Sequence, residues 1–214
     1  INDNMHGDLY LNGNVTLRND FENHSKKLAA ILQKQGIRQN DTIAVLMRND
    51  FKYSEVIQVC RYLGCYFVPL NWHSVPTEIE HIVQDSGSKI LVAHADLVHQ
   101  LVKQNLQKIM IATFPTPIEI VKSYHVDVNL QSRTADMALD METALTTAEP
   151  IDTEPKPFRG MFAYTSGSTG RPKGIKRDTN DDSADRYAVY KSLSQSLMQL
   201  NTDDCFYLAA PIYH

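Results

Sequence analysis

The sequence predicts an α/β fold, a mostly parallel sheet with helices on both faces. Two observations carry this reading. Through the first 110 residues, stretches of helical apolar periodicity alternate with short apolar runs. Those runs, such as Thr42-Ile43-Ala44-Val45-Leu46-Met47, lack polar alternation, as strands buried on both faces do. A third observation agrees: Gly36, Gly64 and Gly87 each follow a helical stretch, where a helix end favours a positive φ.

The elements follow in order. From Asp20 to Gln35, Phe21, Leu28, Ile31 and Leu32 share one helical face, and Asn19 or Asp20 can cap its start. Residues 42–47 are a buried strand. Asn49-Asp50 cap a second helix that runs to Leu63, and Cys65-Tyr66-Phe67-Val68 is a strand ended by Pro69. Ser74-Val75-Pro76-Thr77-Glu78 opens a third helix, with proline in its first turn and Glu78 supporting the N-terminal dipole. Lys89–Ala93 is a strand, Asp96–Gln107 is helical, and Ile109–Ala112 is the next strand. From Phe114 to Pro157 the pattern degrades under repeated prolines, with at most one helix over 134–147 and a surface linker over Asp152–Pro157. Gly160–Tyr164 reads as a strand, Asp181–Leu200 as an amphipathic helix using Ala184, Tyr187, Ala188 and Leu197, and Cys205–Ala209 as a last strand.

Composition narrows the function classes. The 214 residues are 43% hydrophobic and 21% charged, with a formal net charge of −4. A pI near 6.1 argues against a basic nucleic-acid surface. No apolar run approaches the ~20 residues of a membrane helix. The start of the chain has no basic region followed by an apolar one, so no signal peptide is expected. Cys60, Cys65 and Cys205 are an odd count without metal-ligand spacing. They read as small buried hydrophobes in a reducing, cytoplasmic setting.

One segment demands chemistry. Thr165-Ser166-Gly167-Ser168-Thr169-Gly170-Arg171-Pro172-Lys173-Gly174 combines glycines, hydroxyls and two cations behind a strand. Glycines let the backbone approach a ligand closely, while hydroxyls and N–H groups donate to phosphate oxygens. It is not a Walker A loop, because Pro172 precedes Lys173 and Gly174 follows it. The glycine spacing also fails the dinucleotide fingerprint.

In order as well as composition, Tyr164 to Gly174 resembles the signature loop of the acyl-adenylate-forming (AMP-binding) superfamily. Tyr62-Leu63-Gly64-Cys65-Tyr66-Phe67-Val68-Pro69-Leu70 and Asp85-Ser86-Gly87-Ser88-Lys89-Ile90-Leu91-Val92 are similar to that family's early core. The closing Pro211-Ile212-Tyr213-His214 resembles the acyl-CoA synthetase form of a segment that delivers a residue beside the acyl pocket. The resemblance covers most of residues 20–110 and 158–214; residues 114–157 match nothing. It implies that 1–214 is an incomplete N-terminal AMP-binding domain, with the C-terminal domain absent.

The family's reaction then supplies roles. A carboxylate attacks the α-phosphate of ATP, giving an acyl-adenylate and pyrophosphate, and a thiol such as CoA takes the acyl group. The resemblance assigns the ATP phosphates to Thr165, Ser166, Gly167, Ser168, Thr169, Gly170 and Lys173, and catalytic roles to Lys173 and His214. ATP, Mg²⁺ and CoA are the implied cofactors and cosubstrates, and a small-molecule carboxylic acid, fatty or another organic acid, is the implied substrate. The alternatives are an amino-acid-activating adenylation domain and a non-catalytic ATP-binding module. The family's later motifs lie beyond this sequence, so the chain alone is expected not to complete adenylation. An unpaired edge at the Cys205–Ala209 strand predicts self-association.

Other residues have blander readings. Arg171, Lys176 and Arg177 read as solvated cations. Asp178, Asp181, Asp182 and Asp185 suit a helix start without a metal. His94 and His99 miss the i, i+4 spacing of a zinc pair. Trp72 reads as packing at a domain surface.

Overall fold

The computed structural model describes residues 7–101, 106, 109–132, 138–156, 159–165, 172–175, 186–199, 204, 207–208 and 210–213. Its centre is a five-stranded, all-parallel sheet formed by β3 (Thr42–Leu46), β4 (Tyr66–Pro69), β5 (Ile90–His94), β6 (Met110–Phe114) and β7 (Leu139–Asp140). The strand order is β4-β3-β5-β6-β7. From β3 the chain first moves outward to β4, then crosses back to β5 on the other side. This reversal puts a topological switch point at the carboxyl ends of β3 and β5, where open α/β sheets leave a crevice for ligands.

Alternate strand residues feed two cores, as the two-residue period of a strand requires. Ile43, Val45, Phe67, Ile90 and Val92 face one way, against α1 (Arg18–Lys34), α2 (Phe51–Leu63) and α6 (Met141–Thr147). Ala44, Leu46, Val68, Leu91 and Ala93 face the other way, against α3 (Pro76–Asp85) and α4 (Ala95–Val98). Cys60 and Cys65 are free and buried in the first core. Burial pushes the Cys60 thiol well above its ordinary value and the Cys65 thiol up to about 12, so both behave as apolar packing.

The structure corrects the sequence reading at several elements. The N-cap of α1 is Leu17, not Asn19 or Asp20, and the first helical N–H is instead met from outside: Arg18 N donates to Asp8 Oδ1 at 2.9 Å. Asp8 is carried by a hairpin that periodicity missed, β1 (Leu9–Leu11) with β2 (Asn14–Thr16). Its turn is Asn12-Gly13, both at positive φ, a dipeptide that favours two-residue hairpin turns. The stretch 114–157 is more ordered than its prolines suggest. It holds α5 (Ile118–Tyr124), a 3-10 turn at Val128–Leu130, β7 and α6. These pieces are too short to show a period, and their ends are set by single residues: Pro117 precedes α5, and Asp140 accepts from the N–H groups of Glu142 and Thr143 to cap α6. Met141 anchors the stretch in the core at 1% exposure.

After the linker, the chain rejoins the sheet along the outer side of β4. Met161 pairs in parallel with Phe67, and Phe162 N donates to Phe67 O at 2.9 Å. The remaining helix, α7, is described over Arg186–Met198, while residues 181–185 and 200 of the expected span lie outside the described residues; Leu197, expected on its buried face, is exposed with Val189 and Leu193. The expected strand at Cys205–Ala209 lies mostly outside the described residues, and Tyr207 and Leu208 are in no strand. Self-association through that edge therefore finds no support. No described helix is long and apolar enough to cross a membrane.

Candidate active site

The Gly/Ser/Thr segment closes an antiparallel hairpin between β8 (Ala163–Thr165) and β9 (Lys173–Ile175), rather than linking a sheet strand to a helix. The register sets Thr165 opposite Lys173 and Tyr164 opposite Gly174. Two of the expected phosphate-contacting residues thus meet at the mouth of the loop, and Lys173 is exposed. Ser166, Gly167, Ser168, Thr169 and Gly170 lie outside the described residues, as do Arg171, Lys176, Arg177, the cluster Asp178, Asp181, Asp182 and Asp185, and His214.

The stem is fixed by α3 and by a close approach. Tyr164 Oη donates to Asp85 Oδ2 at 2.8 Å, and the His81 ring nitrogen bonds Pro172 O at 3.3 Å. The His81 proton must therefore sit on Nε2, since a carbonyl only accepts. Burial, reinforced by the Asp85 carboxylate, pushes the Tyr164 hydroxyl well above its ordinary range, so it stays a donor. A Cβ at position 174 would come within 2.6 Å of Tyr164 Cζ, so the ring can lie across the hairpin only because residue 174 is glycine.

A second polar constellation sits at the switch point. Arg48, just past β3, is 7% exposed, and its Nη1 donates to Asp96 Oδ2 at 2.9 Å and Oδ1 at 3.2 Å. Thr116, past β6, donates its hydroxyl to Asp96 Oδ1 at 2.6 Å. The Arg48 guanidinium lies 4.8 Å from the Trp72 ring centre and 5.1 Å from that of Tyr124. Fully buried His94 accepts from Arg48 N at its Nδ1, 3.3 Å, which leaves Nε2 to donate to Asp50 Oδ2 at 3.4 Å. His94 is thus a structural histidine. Among the described residues, no group of three His, Cys, Asp or Glu could hold a metal.

Of these residues Arg48 lines an open cavity of about 600 Å³ whose walls include Asn49, Trp72, Tyr124, Pro211 and Tyr213. Trp72, expected to be simple surface packing, therefore faces this crevice as well as stacking on Arg48. Burial raises the Tyr213 hydroxyl above its ordinary value, with Tyr124 adding to the effect. The sequence reading overlooked Arg48, Asp96 and Thr116. Their signal was positional: each polar residue follows an apolar strand at its carboxyl end.

A family model described as "AMP-binding enzyme" matches residues 15–214. The chain belongs to the AMP-binding enzyme family. Within it, the chain is 28% identical over 169 residues to the fatty acid–[acyl-carrier-protein] ligase ScoC of Streptomyces coeruleorubidus, covering 76% of this chain and 28% of that protein. Among solved structures, the Brucella canis acyl-CoA synthetase superposes with a TM-score of 0.71 at 19% identity, over 99% of this chain and 37% of that one. The Bacillus subtilis o-succinylbenzoate CoA synthetase, solved with ATP and magnesium ion, superposes at 0.66 and 19% identity, over 94% of this chain and 46% of that one. At these identities the superpositions show the fold: the α/β domain matches the N-terminal domain of adenylate-forming enzymes. The chain spans under half the length of each of these relatives.

Proposed function

We propose that the chain is the N-terminal part of an ATP-dependent acid–CoA ligase that activates a carboxylic acid, fatty in the first instance, as its acyl-adenylate and transfers it to CoA. What supports this is one observation: a loop with the family's phosphate-binding signature closes a hairpin whose mouth pairs Thr165 with exposed Lys173. The physical problem in adenylation is charge. A carboxylate oxygen forms a bond to the α-phosphorus, the bond to the β-phosphate oxygen breaks, and pyrophosphate leaves with the electron pair. Two anions must meet while a third gathers charge, so preorganised donors aimed at the β- and γ-phosphates lower the barrier.

Thr165, Ser166, Gly167, Ser168, Thr169 and Gly170 are proposed to supply hydroxyl and N–H donors, and Lys173 a cation that strengthens its hold as charge develops. Asp85, His81 and Gly174 keep the stem in register. His214 is proposed to stand at the acid-binding end, next to Tyr213 and the switch-point cavity. The thiol of CoA then attacks the acyl carbon and AMP leaves. Mg²⁺ would accompany the nucleotide and neutralise phosphate charge, but the described residues offer no acidic donor set for it. No step assigned to these residues passes through the metal. A cytoplasmic setting suits the thiol-based reading of the cysteines.

The test is carboxylate-dependent ATP–pyrophosphate exchange by the full-length protein across fatty, aryl and amino acids. Exchange with fatty or other organic acids is the expected result. Exchange with amino acids alone would move the assignment to an amino-acid-activating domain. Silence with every acid, from folded protein that binds ATP, would make it a binding module.

A further inference from the structure

We propose that Asn49 is a positioning residue for the acid-binding end of the site: its side-chain amide grips the backbone on both sides of Pro211 and fixes how Tyr213 is presented to the cavity. The proposal rests on the ligase reading above. Asn49 Nδ2 donates to Ala210 O at 3.1 Å, and Ile212 N donates to Asn49 Oδ1 at 2.9 Å. Both ends of one amide are therefore spent on one segment more than 160 positions away in sequence. Pro211 between them has no N–H and cannot sustain strand pairing. The carboxamide reproduces the donor and acceptor that a neighbouring strand would offer.

The anchor itself is firm. Asn49 follows β3, whose five residues are all buried, and immediately precedes Asp50, the N-cap of α2. Its neighbour Arg48 is held by Asp96 and lies against the Trp72 and Tyr124 rings. On the gripped side, Ile212 rests against the first core, and Pro211 and Tyr213 form part of the cavity wall with Asn49. Tyr207 and Leu208, a few residues earlier, are exposed. The backbone at Ala210 and Ile212 is thus brought into register at the point where its functional end begins. Neither neighbouring residue type would serve: an aspartate has no donor for Ala210 O, and a glutamine is one methylene too long for this spacing.

The experiment uses the full-length protein with Asn49→Ala and Asn49→Asp, and has two readouts. Hydrogen–deuterium exchange of the peptide covering residues 207–214 reports the grip. ATP–pyrophosphate exchange kinetics report the site. Asn49→Ala should lose about tenfold or more of its amide protection in that peptide and about tenfold to a hundredfold in kcat/KM for the acid, with KM for ATP unchanged. Asn49→Asp, which keeps the acceptor for Ile212, should fall between Asn49→Ala and wild type in both. Unchanged protection in Asn49→Ala overturns the grip. Lost protection with unchanged acid kinetics overturns the positioning role, as does a parallel loss of ATP affinity and thermal stability, which marks a purely structural residue. A wild-type protein inert toward every acid defeats the ligase reading itself, and with it the role given to Asn49.

Discussion

The sheet region, residues 18–114, and the loop region, residues 159–213, are held together by different means. In the first, four parallel strands and four helices among the described residues bury residues such as Ile43, Val45, Leu91 and Val92 completely. In its interior Arg48 Nη1 is paired with Asp96, which also accepts from Thr116 just beyond the region. In the second, a three-residue hairpin pair is pinned to α3 by two hydrogen bonds, and Lys173, Gly174 and Ile175 are exposed. The sheet region supplies stability and a rigid frame. The loop region carries the residues assigned to phosphate chemistry, on a scaffold with little burial of its own. Loops so placed can bring donors to a ligand because no core competes for them.

If this division holds, changes in the two regions should move different observables. The largest effect belongs to the frame. Asp96→Ala leaves the buried Arg48 guanidinium and the Thr116 hydroxyl without their acceptor and should cost about 3–5 kcal/mol, read by denaturant unfolding. Next comes Gly174→Ala, which must push the Tyr164 ring off the hairpin. It should cost about 1–3 kcal/mol locally and show as faster hydrogen exchange in 159–175, with global unfolding little changed.

The smallest effect is a pH dependence. Glu55 is buried on α2, and its desolvation outweighs Lys52 and His24, so its carboxyl is held above the ordinary value. A group with a raised folded pKa holds its proton more tightly when folded. Its contribution is complete below about 4.5, the unfolded value, and is lost as pH rises through the raised one. Glu55→Gln should therefore flatten that decline in melting temperature, which a melting series from pH 3 to 7 (roughly the carboxylate range) would show.

The same division explains what was legible in the sequence. Frame elements were readable where burial imposes a pattern: β3, β4, β5 and the faces of α1, α2 and α3 follow directly from apolar spacing and from Gly36, Gly64 and Gly87. Short elements were harder: α6 falls within the one helix allowed over 134–147, but the seven residues of α5 hold too few apolar positions for a period. The β1–β2 hairpin escaped for a related reason, since its strands are three residues long and mostly exposed. Only the Asn12-Gly13 pair marked it. The loop was readable by residue order alone: burial says nothing about Lys173. Pro172 and Gly174 excluded a Walker A loop, yet nothing in the pattern foretold that Lys173 would start a returning strand opposite Thr165. Asn49 was legible only as a helix start, because its partners at Ala210 and Ile212 are set by the fold.

The most direct test of the division is Lys173→Ala in the full-length protein, assayed in parallel for carboxylate-dependent pyrophosphate release and for thermal unfolding. Losing a cation that acts chiefly as the transition state forms should lower kcat/KM about a hundredfold or more. Removing an exposed side chain should leave the melting temperature where it was. An unchanged rate would contradict the account, because the loop would then not carry the chemistry; so would a large fall in melting temperature, because Lys173 would then belong to the frame.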